Sequence, residues 1–267
     1  MNKKSKSTLE RYEQKLRVKN YSERTVRVYT HYVSLFLSNF DVDFYHIPQK
    51  EAVEFLESVD YSSISVQNQY ISSVKLLYKT IGKGSLIVRV TRPRKEKKLP
   101  RVIDKDFLIS KIGSIENKKH KAILSLAFSV GLRVSEVVNL KIEDIDSSRG
   151  VILIRQAKGN KDRVVPLSDG LLRILREYYK DYRPKEYLFN GQSKSKYSVS
   201  SCGKLVKNYL GEDKHFHLLR HSSLTSMLEG GTDLRTIQSI AGHNNISTTQ
   251  LYMHVSTQHL KQAALPI

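Results

Sequence analysis

One cysteine in 267 residues has nothing in the chain to pair with, so no disulfide framework is possible and a reducing compartment is expected. Cys202 has no neighbouring cysteine or histidine cluster and reads as a small packed residue rather than a nucleophile. Long apolar runs are missing as well. No stretch approaches the roughly 20 apolar residues a helix needs to span a bilayer. The N-terminal MNKKSKSTLERYEQ is basic, but no apolar core follows it, so no signal peptide is expected. The expectation is a soluble, cytoplasmic protein with no membrane partner. Acidic residues are also scarce: 26 Asp and Glu stand against 45 Lys and Arg, for a net charge of +19. No carboxylate cluster suggests a bound metal, and no cofactor is expected. So basic a chain calls for a polyanion, and nucleic acid is the usual one. The excess is spread over both halves of the chain, which argues against a lone basic tail. What remains, 39% hydrophobic residues, can fill the core of one large domain or two ordinary ones.

The first part of the chain reads as a bundle of about four helices. Leu9, Tyr12 and Leu16 keep a helical period, and Asn20-Tyr21-Ser22 breaks it. Val26, Tyr29, Val33, Phe36, Leu37 and Phe40 form the next apolar stripe, with Arg24, Arg27 and His31 on the opposite side. A third helix is predicted at 49–58, begun after Pro48. A fourth follows Ser62-Ser63-Ile64-Ser65 and runs to about Ile81, with Tyr70, Val74, Leu77 and Tyr78 inward. The segment around 91–102 holds two prolines, is rich in Lys and Arg and lacks a helical period. It reads as an extended basic linker suited to a phosphate backbone. Beyond it, helices are expected at 104–112 and 118–130, the second strongly apolar and ended by Gly131. Arg133 precedes a short helix on which Glu136 is its natural partner. VILIRQ and RVVPL pair as a β-hairpin with Lys158 and Lys161 at its tip. A helix at 169–180, a short extended YLFN and a helix at about 200–210 follow.

Residues 215–255, HFHLLRHSSLTSMLEGGTDLRTIQSIAGHNNISTTQLYMHV, are the most unusual stretch. His217 and Arg220 share one helical face. Gly230-Gly231 ends that helix, Thr232 or Asp233 caps the next, and Gly242 ends it to present His243. Ser247 or Thr248 is expected to cap a last short helix carrying Tyr252. Each residue alone has an ordinary reading: a helix-start histidine, a core tyrosine, a surface arginine in a local ion pair, a lysine on a soluble loop tip. Their conjunction is what a site needs if it holds a phosphate and attacks it.

These segments resemble the tyrosine recombinases of the phage-integrase and Xer type. GLRVSEVVNLKIEDID resembles that family's first arginine box, AKGNKDRVVPL its lysine hairpin, HLLRH its HxxRH box, and AGHNNISTTQLYMHVS its Gly-His and tyrosine box, in the family's order. The resemblance implies a mainly α fold: an N-terminal four-helix core-binding (SAM-like) domain at 1–90, the basic linker at 91–102, and at 103–267 an α+β catalytic domain with a small antiparallel β-sheet and a C-terminal tail. It implies that Tyr252 attacks the scissile phosphate to form a 3′-phosphotyrosyl bond, and that Arg133 and Arg220 clamp the non-bridging oxygens. His217 would assist proton transfer from the tyrosine, Lys158 protonate the leaving 5′-oxygen, His243 donate to the phosphate, and Glu136 support an arginine. Candidate DNA contacts are Arg24, Arg27, Lys75, Arg92, Arg94, Lys161 and Arg163. The implied partners are double-stranded DNA with specific recombination sites and further copies of the chain, four on two duplexes through the C-terminal tail, working through a Holliday junction. No metal is implied. The lack of an added N-terminal arm-binding domain points to a simple Xer-like system. Two other readings use the same residues: a type IB topoisomerase-like nicking-closing enzyme, and a DNA-binding regulator that has lost catalysis.

Overall fold

Helix α1 (Lys3–Val18) ends where Asn20 takes a left-handed φ of 56°, a conformation asparagine tolerates. Ser22 then caps α2 (Glu23–Ser38) by accepting from the Thr25 amide. The computed structural model describes residues 3–81, 90–93, 99–157, 161–192, 196–253 and 255. The chain divides into two units, residues 1–97 and 98–267. The first unit continues through α3 (Gln49–Ser58) and α4 (Ile64–Ile81). Its core forms because apolar residues recur at helical spacing: Val26, Val33, Phe36 and Leu37 on α2 meet Tyr70, Ile71, Val74, Leu77 and Tyr78 on α4. Phe44 stands edge-on to Tyr78, their ring centroids 4.7 Å apart. Tyr12 of α1 donates to the Ser73 carbonyl at 3.0 Å, which satisfies a polar tip inside the core. Each fully buried Phe or Leu contributes roughly 1.5–3 kcal/mol through lost water contact.

The second unit is built around α6 (Lys118–Val130), whose Ala122, Ile123, Leu124, Leu126, Ala127 and Val130 are all buried. Helix α5 (Lys105–Gly113) precedes it, and α7 (Val134–Asn139), α8 (Asp169–Tyr182) and α9 (Val199–Leu210) pack around it. Among the described residues the sheet has three antiparallel strands, β1 (Ile145–Asp146), β2 (Val151–Ala157) and β3 (Lys161–Pro166), in that order. Ile152 pairs with Val165 and Ile154 with Arg163, so the alternation that buries Val165 also turns Arg163 inward. The hairpin was legible from β-branched runs; a two-residue β1 is too short to show any period.

Three helices close the unit: α10 (Phe216–Glu229), α11 (Leu234–Ala241) and α12 (Ile246–Gln250). Ser222 on α10 accepts from the Ile103 amide at 2.7 Å and so fastens the start of the unit to its end. Gly131 ends α6 at φ 67°, where a Cβ would lie 3.1 Å from Ser223 Oγ, so glycine permits both the turn and the close approach of α10. Asp233 is the cap of α11. The cap of α12 is Asn245, not Ser247 or Thr248: its side chain accepts from the Ser247 amide. Tyr252 therefore lies in the turn just beyond α12 rather than on it. No helix among the described residues is long and apolar enough to cross a membrane.

Candidate active site

Arg133 occupies the cap position of α7, where the chain leaves Gly131. Glu136, one turn on, accepts from the Arg133 backbone amide at 2.9 Å and from its guanidinium at 2.8 Å. The same carboxylate takes two further bonds from Arg163, both at 2.9 Å, in a fork-to-fork pair. Burial alone would push this carboxyl up. The Arg163 and Arg133 contacts outweigh that and hold it at about 2. Arg163 completes its set by donating through Nε to the Ile240 carbonyl at 2.7 Å. Expected among the DNA contacts, it fastens β3 to α7 and to the end of α11, with a side chain only 9% exposed.

Gly242 makes the next step possible. It ends α11 at φ 60°, and a Cβ there would meet Arg163 Cδ at 3.1 Å. The tight turn directs two carbonyls at two arginines. Arg220, 1% exposed on α10, donates to Ala241 O and to Gly131 O, each at 2.7 Å. Arg133 donates to Gly242 O at 3.1 Å. Burial, with Arg133 nearby, lowers Arg220 to about 10, so it stays a cation at neutral pH. Arg220 also donates to His243 Nε2 at 2.9 Å, which leaves the ring proton on Nδ1, facing Thr249 Oγ1 at 3.0 Å. Burial first, then Arg220 and Arg133, push His243 down to about 4. As arranged, Nε2 is an acceptor. For that nitrogen to donate to a phosphate, as expected from the sequence, the ring must change tautomer or gain a proton.

Tyr252 is 3% exposed and packs with Leu224, Ile237 and Ala241. Its ring lies parallel to that of His243, with centroids 6.3 Å apart. Burial raises its hydroxyl above the usual value, while Arg220 and Arg133 pull it back. That hydroxyl is 3.0 Å from His221 Nδ1, and no hydrogen bond joins it to His217. His217 keeps an exposed face; the burial of the rest of its ring, and then Arg220, lower it. Its ring meets that of His221 edge-on at 4.4 Å.

The fold thus gathers Arg133, Glu136, Arg220, His243 and Tyr252 around the Ala241–Gly242 turn, with His217 beside Arg220. Lys158, the side chain of Lys161, Arg94 and the C-terminal tail lie outside the described residues. Arg24 and Arg27 are exposed on α2. Arg92 is exposed and donates to Ser72 at 3.2 Å, while Lys75 is half-buried and lowered by burial and then by Arg92. Three roles in this network escaped the sequence reading. His221 closes the HLLRH box, but nothing local points to its partner Tyr252, 31 residues on, and Thr249 meets His243, six residues before it, only through the turn between them. Arg163 did carry a local signal: it alternates with Val165 on the buried face of β3.

Residues 103–259 match the Phage integrase family, and residues 8–86 match the Phage integrase N-terminal SAM-like domain. Tyrosine recombinase XerA of Pyrococcus horikoshii is 36% identical, covering 96% of this chain and 91% of its own. A tyrosine recombinase of Thermosipho africanus is 30% identical, covering 90% and 92%. Among solved structures, the XerA recombinase crystal structure aligns at a TM-score of 0.57 with 27% identity over 97% of this chain and 96% of that one. The XerH site-specific recombinase, in a post-cleavage complex with palindromic difH substrate, aligns at 0.74 with 23% identity over 91% and 80%, a likeness of fold.

Proposed function

Because the chain belongs to the phage integrase family and is a Xer-like, tyrosine-type site-specific DNA recombinase, we propose a role in strand cleavage and transfer for each residue of its site. The observation that carries the proposal is the double hook on one turn. Arg133 and Arg220, from different helices, each donate to a carbonyl of the Ala241–Gly242 turn, with the Tyr252 ring alongside.

Tyr252 attacks the scissile phosphate and forms a 3′-phosphotyrosyl bond, releasing a 5′-hydroxyl. The covalent link keeps the energy of the phosphodiester, so rejoining needs no nucleotide triphosphate. Arg133 and Arg220 hold the non-bridging oxygens, because forked, permanently charged donors suit the charge that builds on a pentacoordinate phosphorus. Arg220 has no counter-ion to give up first: it bonds to carbonyls and a neutral imidazole rather than to a carboxylate. His217, with its exposed face beside Arg220, assists proton transfer from Tyr252, and His243 donates to the phosphate. Lys158 protonates the leaving 5′-oxygen. Glu136 holds Arg133 in one pose.

Double-stranded DNA carrying specific recombination sites is the partner. Among the chain's structural neighbours, XerH was solved bound to a difH substrate and the Tn1549 integrase in complex with a circular intermediate DNA. The helical domain at 1–90, with Arg24, Arg27 and Lys75, the linker at 91–102, with Arg92 and Arg94, and the catalytic domain at 103–267, with Lys161 at the hairpin, each contact the DNA backbone. Four copies assemble on two duplexes through the C-terminal tail and exchange strands through a Holliday junction, in the cytoplasm.

The test is a nicked suicide duplex that traps the cleaved state. Wild type should accumulate a covalent protein–DNA adduct and Tyr252→Phe none. An adduct with the phenylalanine variant refutes the nucleophile. Adding a second site should yield recombinant strands; relaxation of supercoils without exchange would instead favour the topoisomerase-like reading.

A further inference from the structure

The atom that reacts in the function proposed above, the Tyr252 hydroxyl, makes its side-chain hydrogen bond to a histidine with no role there. His221 Nδ1 stands 3.0 Å from it, with the two rings 5.7 Å apart. His217, which precedes His221 by one helical turn, has an exposed face and no bond to the tyrosine. The two imidazoles touch edge-on at 4.4 Å, so they stand in series from the buried hydroxyl outward.

We propose that His221 is the direct proton acceptor for the Tyr252 nucleophile, and that His217 faces the phosphate instead. The inference rests on Tyr252 being the nucleophile. In the step, the phenolic O–H bond breaks toward His221 Nδ1, and the phenolate oxygen forms the bond to phosphorus. The P–O5′ bond breaks with its electron pair on the 5′-oxygen, which takes a proton from the general acid, Lys158 in the reading above. His221 becomes an imidazolium and returns its proton to the phenol when the 5′-hydroxyl religates. The proton on neutral His221 sits on Nε2, which leaves Nδ1 as the acceptor.

The surroundings suit that role. His217, Arg220 and His215 face His221 from its own helix and the residue before it, and Tyr252 faces it from the turn beyond α12. Burial and then these neighbours hold it near 4, so the imidazole is neutral and able to accept at neutral pH. Its weak basicity matches a transfer concerted with attack. The imidazolium forms only as negative charge builds on the phosphorane held by Arg133 and Arg220, and that charge stabilises it.

The experiment uses the full chain and a suicide duplex carrying a site recovered from a randomised library by covalent capture on wild type. Two forms are compared, one with the normal 5′-oxygen and one with a bridging 5′-sulfur, whose thiolate leaves without an acid. Adduct formation by His221→Ala should slow by about 100-fold or more on both substrates. Imidazole in the buffer should restore much of the rate. Lys158→Ala should recover on the sulfur substrate alone. His221→Asn accepts a hydrogen bond but no proton; it should melt like wild type and remain slow. Near wild-type rates for His221→Ala or His221→Asn, or imidazole rescue of His217→Ala rather than His221→Ala, would overturn the inference. Adduct formation by Tyr252→Phe would refute the nucleophile itself, a separate and distinguishable failure.

Discussion

Replacing Glu136 with glutamine keeps the side chain's shape and removes its charge, which tests whether this carboxylate organises the site. Glu136 is surrounded by two guanidiniums, both less than a quarter exposed, and is itself 5% exposed, so solvent screens these contacts little. Its carboxyl is held at about 2 against an ordinary 4.5. At 1.36 kcal/mol per unit, that difference corresponds to about 3 kcal/mol of folding stability. Removing one partner of a buried ion pair typically costs about 3–5 kcal/mol, so the two routes agree. For a unit of this size the expected fall in Tm is roughly 6–12 °C at pH 7. The sign follows from the lowered folded-state value: the contribution is complete above about 4.5 and disappears as pH falls through about 2. Scanning calorimetry of wild type and Glu136→Gln at pH 7, 4 and 3 should therefore show the gap between them narrowing with acid. The double variant with Arg163→Met should lose less than the sum of the single losses, because both act through one pair. A gap that stays constant with pH, or a fall in Tm under about 2 °C, would refute the assignment.

Gly242→Ala forces a side chain onto a φ of 60° and against Arg163, at a cost of about 1–2 kcal/mol; its adduct yield should fall further than its Tm suggests, because His243 moves with the turn. Ser222→Ala strands the buried Ile103 amide and should lower the second unit's stability by roughly 1–3 kcal/mol in calorimetry, leaving the first unit's transition in place. Tyr12→Phe does the reverse, costing the first unit roughly 0.5–1.5 kcal/mol through the lost bond to Ser73, as read by urea unfolding. His221 and His243 are both lowered from 6.5 to about 4, so stability should fall as pH drops through that window; replacing both by glutamine should flatten a plot of Tm against pH there.

The helices were legible where apolar spacing and a strong cap coincide. Ser22 before α2, Pro48 before α3 and Gly131 after α6 mark real boundaries because each supplies a backbone conformation or an acceptor that the helix end requires. At α12 three polar residues compete for the cap, and the winner, Asn245, depends on the turn that follows Gly242. The residues now placed around that turn were nameable because their boxes keep local spacing. How they bond was not legible. Nothing near position 221 says that the second histidine of HLLRH, rather than the first, will meet a hydroxyl 31 residues away. Arg163 was read for DNA from its charge beside a basic hairpin; its bonds to Glu136 and Ile240 follow from the strand alternation, which sends it inward.

Charge alone therefore does not separate the cations that hold the fold from those that hold a substrate; the acceptor does. Arg163 faces a full carboxylate, and its charge is neutralised within the protein. Arg220 lies deeper, 1% exposed, but meets only two carbonyl oxygens and an imidazole nitrogen, dipoles that fix its direction without cancelling its charge. Arg133 stands between these cases, sharing Glu136 with Arg163 and hooking Gly242 with its other arm. One carboxylate among three arginines leaves a surplus of positive charge aimed at the turn that carries His243. The same surplus, felt by Tyr252, offsets part of the rise that burial imposes on its hydroxyl. In the function proposed above, a phosphate arriving there would supply the missing anion, so that holding the phosphate and activating the tyrosine would be two consequences of a single charge imbalance.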